Sequence, residues 1–469
     1  MNKYDLQGVS KQELEQIHAA TVDVLENVGI EFRYQPALDL FQKNGAKVEG
    51  QKVFISEKML SEALKTVPAK FTLHARNPSL NVTVGEDIVL CPGYGAPFVQ
   101  DIDRGRRKAT LDDFENFAKL AGMSKSIDLT GGVLVEPNDI PEKRRPAQMV
   151  YSSIINSEKC FMGSATGAEN ARTSIEMARI LHGEADLAEK PALITLVNSI
   201  TPLIWDDRML GAMMEHVAAG QAVIVASLAM SGATSPGTLV GTLVVQNAEV
   251  LAGIVLTQLL RLGSPAVYGS ASSITEMKYG TLAIGAPEMG ILLNASAKLA
   301  EFYGIPSRGG GAVTDSKQPD AQAGYESMMN LLSASHSGIK FVLHAAGILE
   351  YYMTMCYEKF VIDEEVCGYV KRFARGFEVN EDSLAKEVIH QVGSGGHYLD
   401  KDHTFSHFRT EFYHPDLSDR GTFDHWTADG ELDLKERANK VYKEKLAEFE
   451  APALEQIVQK QLQSYMEKI

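Results

Sequence analysis

The side chains best suited to chemistry cluster between positions 305 and 367. His344 ends the apolar run Phe341–Leu343, and Asp315 and Lys317 follow the glycine run Gly309–Gly311. Behind His344 come Tyr351, Tyr352, Tyr357 and Phe360, while Tyr94 and Phe98 sit in the Gly/Pro-rich stretch LCPGYGAPFVQD. An imidazole donates or accepts a hydrogen bond near neutral pH. Aromatic faces attract a cation through the ring quadrupole. Consecutive glycines let a backbone pass closely or cradle an anion. Together these types suit a small, cationic ligand. Each also has a plainer reading: a hydrogen-bonded core histidine, an N-cap for Asp315, a solvated surface lysine, and a helical aromatic stripe packed in the core.

Other candidates are sparser. Asn198 and Glu350 are polar residues placed to line the same site, and His344 and Asp315 are the ionisable groups expected to position a ligand. No G-x-S-x-G turn, no Ser–His–Asp order and no pair of strand-end carboxylates appears. Lys317 would serve a Schiff-base lyase or aldolase, and a binding protein without catalysis is a third class. His397, His403, His407, His414 and His425 crowd one stretch of the tail. His403 and His407 have the i, i+4 spacing that can hold zinc, but there is no HExxH and no third ligand stands out, so no metal is expected.

The elements that must hold these groups alternate. Apolar runs at Ile127–Val135, Cys160–Gly163, Ala192–Asn198, Ala222–Leu228, Ala266–Ser270, Ile305–Ala312 and Ile339–His344 read as strands, with an eighth at Ile88–Cys91 or near Phe98. Helical periodicity separates most of them, as in Ala171–Leu181, Asp207–Ala219, Gly241–Arg261, Glu288–Tyr303 and Gly324–Ser335. Continuous apolar strands covered by helices imply a parallel sheet buried on both faces. A (β/α)8 TIM barrel over 106–370 is the expected α/β fold, where the site would lie at the strands' C-terminal ends. A doubly wound open sheet is the alternative. Residues 1–105 read as an N-terminal helical and β-hairpin cap, with Ser56 capping a helix and Gly29 ending another. Residues 371–469 read as a His-rich loop and a helical C-terminal tail.

Composition narrows the function. The 469 residues are 45% apolar and 23% charged, enough for a sizeable core. A formal charge of −16 argues against nucleic acid and anionic membranes. Four cysteines without a CxxC pair are expected reduced and buried. The polar opening MNKYDLQGVSKQELEQ has no signal-peptide core. The apolar region Leu239–Leu262 is broken by Gln246, Asn247, Glu249 and Gln258, which argues against a membrane span. A cytoplasmic protein is expected, as a homo-oligomer.

The strings TDSKQPDAQAGYES, FVLHAAGILEYYMTMCYEKFVIDEE and GSGGHYLDKDHTFSHFR, with LEQIHAATVDVLENVGIEF near the start, resemble the trimethylamine methyltransferase family over nearly the whole chain. The resemblance implies a (β/α)8 barrel that passes a methyl group from a methylated amine to the cobalt of a separate corrinoid (cobalamin) protein. Founding members carry pyrrolysine near the end of a late strand; here the corresponding place, about Gly311–Asp315, holds ordinary residues. That departure implies the branch acting on quaternary amines such as glycine betaine or proline betaine, with Tyr94, Phe98, Tyr351, Tyr357 and Phe360 around the ammonium and His344 toward the carboxylate. A quaternary ammonium departs as a neutral tertiary amine and needs no general acid, so positioning carries much of the catalysis.

Overall fold

The structure is a computed structural model and describes residues 8–469, apart from the side chains of Asp186 and Ala188; the opening stretch MNKYDLQ lies outside the described residues. The chain enters its first helix, Lys11–Asp23, through a capping box. Ser10 Oγ accepts the Glu13 N–H, and the Glu13 carboxylate accepts the Ser10 N–H at 2.8 Å. A wide turn over Val24–Val28 follows, and Gly29 ends it with φ 75°. Ser56 caps Glu57–Leu64 by accepting the Met59 N–H, as its position suggests. Phe71–Leu73 and Val82–Val84 pair as an antiparallel hairpin.

Seven parallel strands make the main sheet, in the order Val89–Leu90, Phe341–Leu343, Ser307–Gly310, Ala266–Ser270, Ala222–Ser227, Leu193–Asn198 and Phe161–Met162. Every residue of AVIVAS in Ala222–Ser227 is buried, as a strand covered on both faces requires. Alternate residues separate into two cores. Val197, Val223, Val225 and Tyr268 pack with the helices, whereas Ile194, Leu196, Ile224, Ala226, Val267, Phe341 and Leu343 form an inner cluster. That inner cluster also contains Val89 from one end of the strand order and Cys160 and Met162 from the other. Seven flat strands would span roughly 29 Å at about 4.8 Å each. The sheet is therefore curled, and the hydrophobic groups of its two ends meet inside the curve.

The expected strand Ile127–Val135 is reduced to isolated bridges, one of them between Gly131 and Phe161. Its backbone nevertheless reaches both outer strands. Asp128 N–H donates to Leu90 O at 2.8 Å, Thr130 N–H to Cys160 O at 2.9 Å, and Met162 N–H to Gly131 O at 2.8 Å. Val89–Leu90, inside the region expected as a cap, belongs to the main sheet. Phe98–Gln100 instead joins a separate sheet with Arg107–Lys108, Ile348–Leu349 and Thr354–Cys356. The hairpin at 71–84 sits by the strands' N-terminal ends, where His74 N–H donates to Pro191 O at 2.8 Å.

Helix Leu239–Leu260 is, among the described residues, the one long and apolar enough to cross a membrane, and most of it is buried within the fold. Most of its buried polar groups are hydrogen-bonded there, although Asn247 Oδ1 has no partner. Gln246 donates to Tyr268 and Ser296 hydroxyls, and the Glu249 carboxylate accepts from Ser199, Thr201 and the Leu203 N–H. Burial raises the Glu249 carboxyl above its ordinary range, although these bonds oppose the shift. All four cysteines are free and buried.

Candidate active site

At the C-terminal end of Phe341–Leu343 the chain turns sharply, and His344 adopts φ 64°. A left-handed backbone is uncommon for a residue with a side chain and marks a position that surrounding structure must hold. His344 N–H donates to Pro92 O, and its Nδ1 accepts the Tyr94 N–H at 3.2 Å. With Nδ1 accepting, the neutral ring carries its proton on Nε2. Burial, and next the positive charge of Arg308, hold His344 well below its usual pKa. Tyr352 lies against it, ring centroids 4.4 Å apart and planes inclined by 38°.

Arg308 is the unusual member of this group. It sits on the strand Ser307–Gly310 and is 1% exposed. Its Nη1 donates to Ser270 O at 2.8 Å, but Nε has no partner, and among the described residues no carboxylate pairs with it. Burial lowers its pKa, and the neighbouring Tyr352 and Cys91 side chains oppose the shift. The Tyr352 hydroxyl is also buried and without a partner, and burial pushes it up to about 12. Glu350, Tyr351 and Tyr352 all have positive φ (52°, 43° and 77°), so the segment behind His344 is strained at three consecutive residues.

The other expected residues divide. Tyr94 is half-buried beside the His344 loop, and a Cβ on Gly132 would come within 2.8 Å of its ring. Asn198 is half-buried at the end of Leu193–Asn198. Glu350 takes the Arg106 fork at 2.8 and 3.3 Å and the Thr354 hydroxyl at 2.7 Å. The Arg106 guanidinium lies 3.6 Å from the Phe98 ring centroid, and Lys317 Nζ lies 5.3 Å from that of Tyr351. Those two rings already face protein cations. Tyr357 and Phe360 are brought into the core instead of the site. Tyr357 stacks on Phe117 at 4.4 Å and Tyr442 at 4.9 Å and donates to Asp113, while Phe360 packs on Phe117.

Asp315 does not cap the helix that follows. Asp320 caps Ala321–Ser337 by accepting the Ala323 N–H at 3.0 Å. Asp315 accepts the Ile284 and Gly285 N–H groups at 2.9 and 3.0 Å, and burial raises its carboxyl. Lys317 is exposed, with Nζ donating to Asp315 O. The Gly309–Gly311 run serves close packing. A Cβ on Gly311 would fall 2.7 Å from Val342 Cγ1 and 2.8 Å from Ala345 Cα.

Sequence reasoning missed what fixes these loops. Glu326 accepts the Thr314 hydroxyl at 2.5 Å and the Asp315 N–H at 2.9 Å, and Asn330 donates to Ile284 O. Lys359 donates to Ala312 O, Ser327 Oγ and the Asp363 carboxylate, and that carboxylate also accepts the Gly347 N–H at 2.8 Å. A fully buried ion pair thus ties the glycine loop to the turn after His344. The i, i+4 spacing of Lys359 and Asp363 was the signal available. Arg308 and Tyr352 were also missed as polar groups of the site.

No thiol here offers a nucleophile. Burial raises all four, Cys160 to about 12. A cavity of about 940 Å³ opens elsewhere, by helix Ala168–His182, and Arg172 and Arg179 on its wall pair with Glu215 and Glu184. The strand ends therefore gather the buried polar side chains of His344 and Arg308, with no activated thiol among the described residues.

Comparison with known proteins identifies relatives of the whole chain. Residues 2–469 match the family model described as Trimethylamine methyltransferase (MTTB). The chain is 51% identical to the glycine betaine methyltransferase of Desulfitobacterium hafniense (strain Y51), over 99% of this chain and 97% of that protein. It is 34% identical to the proline betaine:corrinoid methyltransferase of Eubacterium limosum, over 95% and 94%. It is 32% identical to the trimethylamine methyltransferase MttB of Methanosarcina barkeri (strain Fusaro / DSM 804), over 100% and 96%. The crystal structure of the Methanosarcina barkeri monomethylamine methyltransferase (MtmB) superposes with a TM-score of 0.57 at 12% identity, covering 95% of this chain and 88% of that one, a likeness of fold. With a curled parallel sheet, a buried polar cluster at the strand ends and this match over nearly its whole length, the chain belongs to the trimethylamine methyltransferase family.

Proposed function

We propose that this chain transfers a methyl group from a carboxylate-bearing quaternary amine, of the glycine betaine type, to a corrinoid carried by a separate protein. The observation that carries the reading is Arg308. A buried guanidinium without a carboxylate is costly unless a ligand supplies the anion. The unpartnered Tyr352 hydroxyl and the Nε2–H of neutral His344 are further donors beside it. A betaine carboxylate satisfies this set, and arginine is suited to carboxylate recognition. The glycine betaine, proline betaine and L-carnitine methyltransferases among the relatives support the same substrate class.

The half-buried Tyr94 ring and the Tyr352 ring provide the faces for the ammonium. Tyr351 and Phe98, already under Lys317 and Arg106, form the rim, with Glu350, Asn198 and Asp315 as polar lining. The partner's corrinoid supplies the reduced cobalt that accepts the methyl group. The chain's own residues bind the carboxylate, orient one N–CH3 bond outward and exclude water. Buried thiols raised above their ordinary range fit a reaction whose leaving group departs neutral and needs no covalent catalyst. Hydrogen bonding of residues 128–131 to both outer strands supports reading the curled sheet as a closed eight-membered barrel. Four buried free cysteines fit a reducing cytoplasm, and exposed Phe377, Leu399 and Phe405 support a homo-oligomer, which light scattering on the purified chain tests.

Incubating the protein with reduced cobalamin and a panel of amines tests the function. Methyl-cobalamin absorbance should rise with glycine betaine or a near homologue and stay flat with trimethylamine. Equal rates with tetramethylammonium would remove the carboxylate from the reading, and no product from any quaternary amine would overturn the function.

A further inference from the structure

The segment after helix Tyr357–Arg375 has little core of its own. Helices Lys386–Val392, Asp402–Glu411 and Phe423–Ala428 contain no buried residue. Short helices in water are marginal without packing, so something else must hold these in place. Arg372 and Arg375 bind the carbonyls of Glu411 and Thr410 at one end of Asp402–Glu411. At its other end the histidines face an aspartate.

His403 and His407 lie one turn apart with ring centroids 4.3 Å from each other. His407 Nε2 is 3.1 Å from Asp382 Oδ2, and His403 Nε2 is 3.0 Å from Asp382 O. One ligand atom from each of the three residues lies within 4.8 Å of the others. The turn presenting Asp382 is pinned by mutual bonds between Asn380 and Ser383, at 2.8 and 2.9 Å. Asp382 thus supplies the third candidate donor, for which the sequence alone offers no clear residue.

We propose that Asp382, His403 and His407 bind one divalent cation of the zinc class, as a structural clip that fixes helix Asp402–Glu411 to the 380–383 turn. Two imidazoles and one carboxylate suit Zn2+. Tetrahedral zinc needs these atoms about 3.3 Å apart, so a small inward movement completes the set, with water in the fourth position. Binding exchanges the His403 and His407 hydrogen bonds to Asp382 for bonds to the metal. It also restrains Phe405, which is exposed on the same helix.

The test uses the full chain, free of any purification tag and stripped with a chelator. Calorimetric titration with Zn2+ should show one saturable equivalent per chain, and His403→Ala and His407→Ala should each weaken it at least tenfold. Hydrogen exchange over residues 380–411 should slow on adding Zn2+ in the parent and not in H407A. Because all three ligands lie outside the core, the main thermal transition of each variant should match the parent. No saturable binding, or binding that both histidine variants leave within twofold, would overturn the site. Binding without slower exchange in 380–411 would overturn its role as a clip.

Discussion

Two cations, Lys359 and Arg308, are each 1% exposed and lie on either side of the Gly309–Gly311 run, yet they are solvated in opposite ways. Lys359 has a carboxylate, a hydroxyl and a carbonyl around its ammonium. Arg308 has one carbonyl, an unpartnered Nε and an unpartnered phenol nearby. Charge taken out of water is tolerated when it is paired. The matched cation is complete without a ligand and holds structure. The unmatched one is complete only with an anion. Burial alone separates neither; the difference lies in which hydrogen-bond valences remain open.

The sharpest way to break this comparison is to unmatch Lys359. Lys359→Met leaves Asp363 buried without its countercharge, and loss of one member of a buried pair costs about 3–5 kcal/mol. Burial already pushes Asp363 up to about 6, and removing Lys359 takes away the charge that opposes this. Denaturant unfolding should show the full loss. Stability within about 1 kcal/mol of the parent would mean that the pair is not what joins Ala312 to Gly347.

Arg308→Gln should do the reverse. Removing an uncompensated buried charge should leave unfolding free energy unchanged or higher, while kcat/KM for glycine betaine falls roughly a hundredfold, about 2.7 kcal/mol. Arg308→Lys should not restore it, because an ammonium lacks the planar fork. A variant that unfolds as Lys359→Met does, or that turns over glycine betaine at the parental rate, would erase the distinction.

Part of this comparison is legible in the sequence itself. The run Phe341–His344, the loop around Tyr94 and the parallel strands were readable because burial on both faces leaves an unbroken apolar pattern. Arg308 is hidden inside IPSRGGG, where the apolar flanks suggest a strand but not which face its fourth residue takes. Tyr352 was visible as an aromatic, but its unpartnered hydroxyl depends on the strained turn behind His344. Helical periodicity gives no compass direction, so the sequence alone lets Tyr357 and Phe360 be read toward the ligand. Tyr442, distant in sequence, decides that Tyr357 faces the core. Asp315 and Asp320 compete for one helix start, and only the backbone of 284–285 shows why Asp320 takes it.

pH sharpens the comparison further. His216 and His344 are both buried and neutral, but His344 alone has Arg308 among the causes of its low pKa. Burial holds His216 at about 4. Below 6.5 the unfolded chain binds a proton that the folded chain refuses until about pH 4, so stability falls as pH drops through that window. The loss is about 3 kcal/mol for His216. His216→Gln should flatten the slope without touching turnover. Arg308→Gln should leave the His216 part intact and raise His344, so that less of its share is lost on acidification. Urea unfolding between pH 7 and 4 measures both; an identical slope in R308Q and parent would uncouple Arg308 from His344.

The smallest effect should come from Tyr352→Phe. Its hydroxyl has no partner in the structure, so removing it breaks no protein hydrogen bond, and stability should hold or rise slightly. A hydrogen bond to the substrate carboxylate contributes about 1.5–3 kcal/mol in an ideal charged geometry and about 1 in an ordinary one. Sharing the carboxylate with Arg308 and His344 favours the lower figure, so KM for glycine betaine should rise about fivefold with kcat little changed. Tetramethylammonium, which presents no carboxylate, should bind parent and Y352F alike. If both ligands weaken equally, the hydroxyl acts by enriching the ring that faces the ammonium and not by donating to the carboxylate. If only the betaine weakens, the open valence beside Arg308 belongs to the substrate.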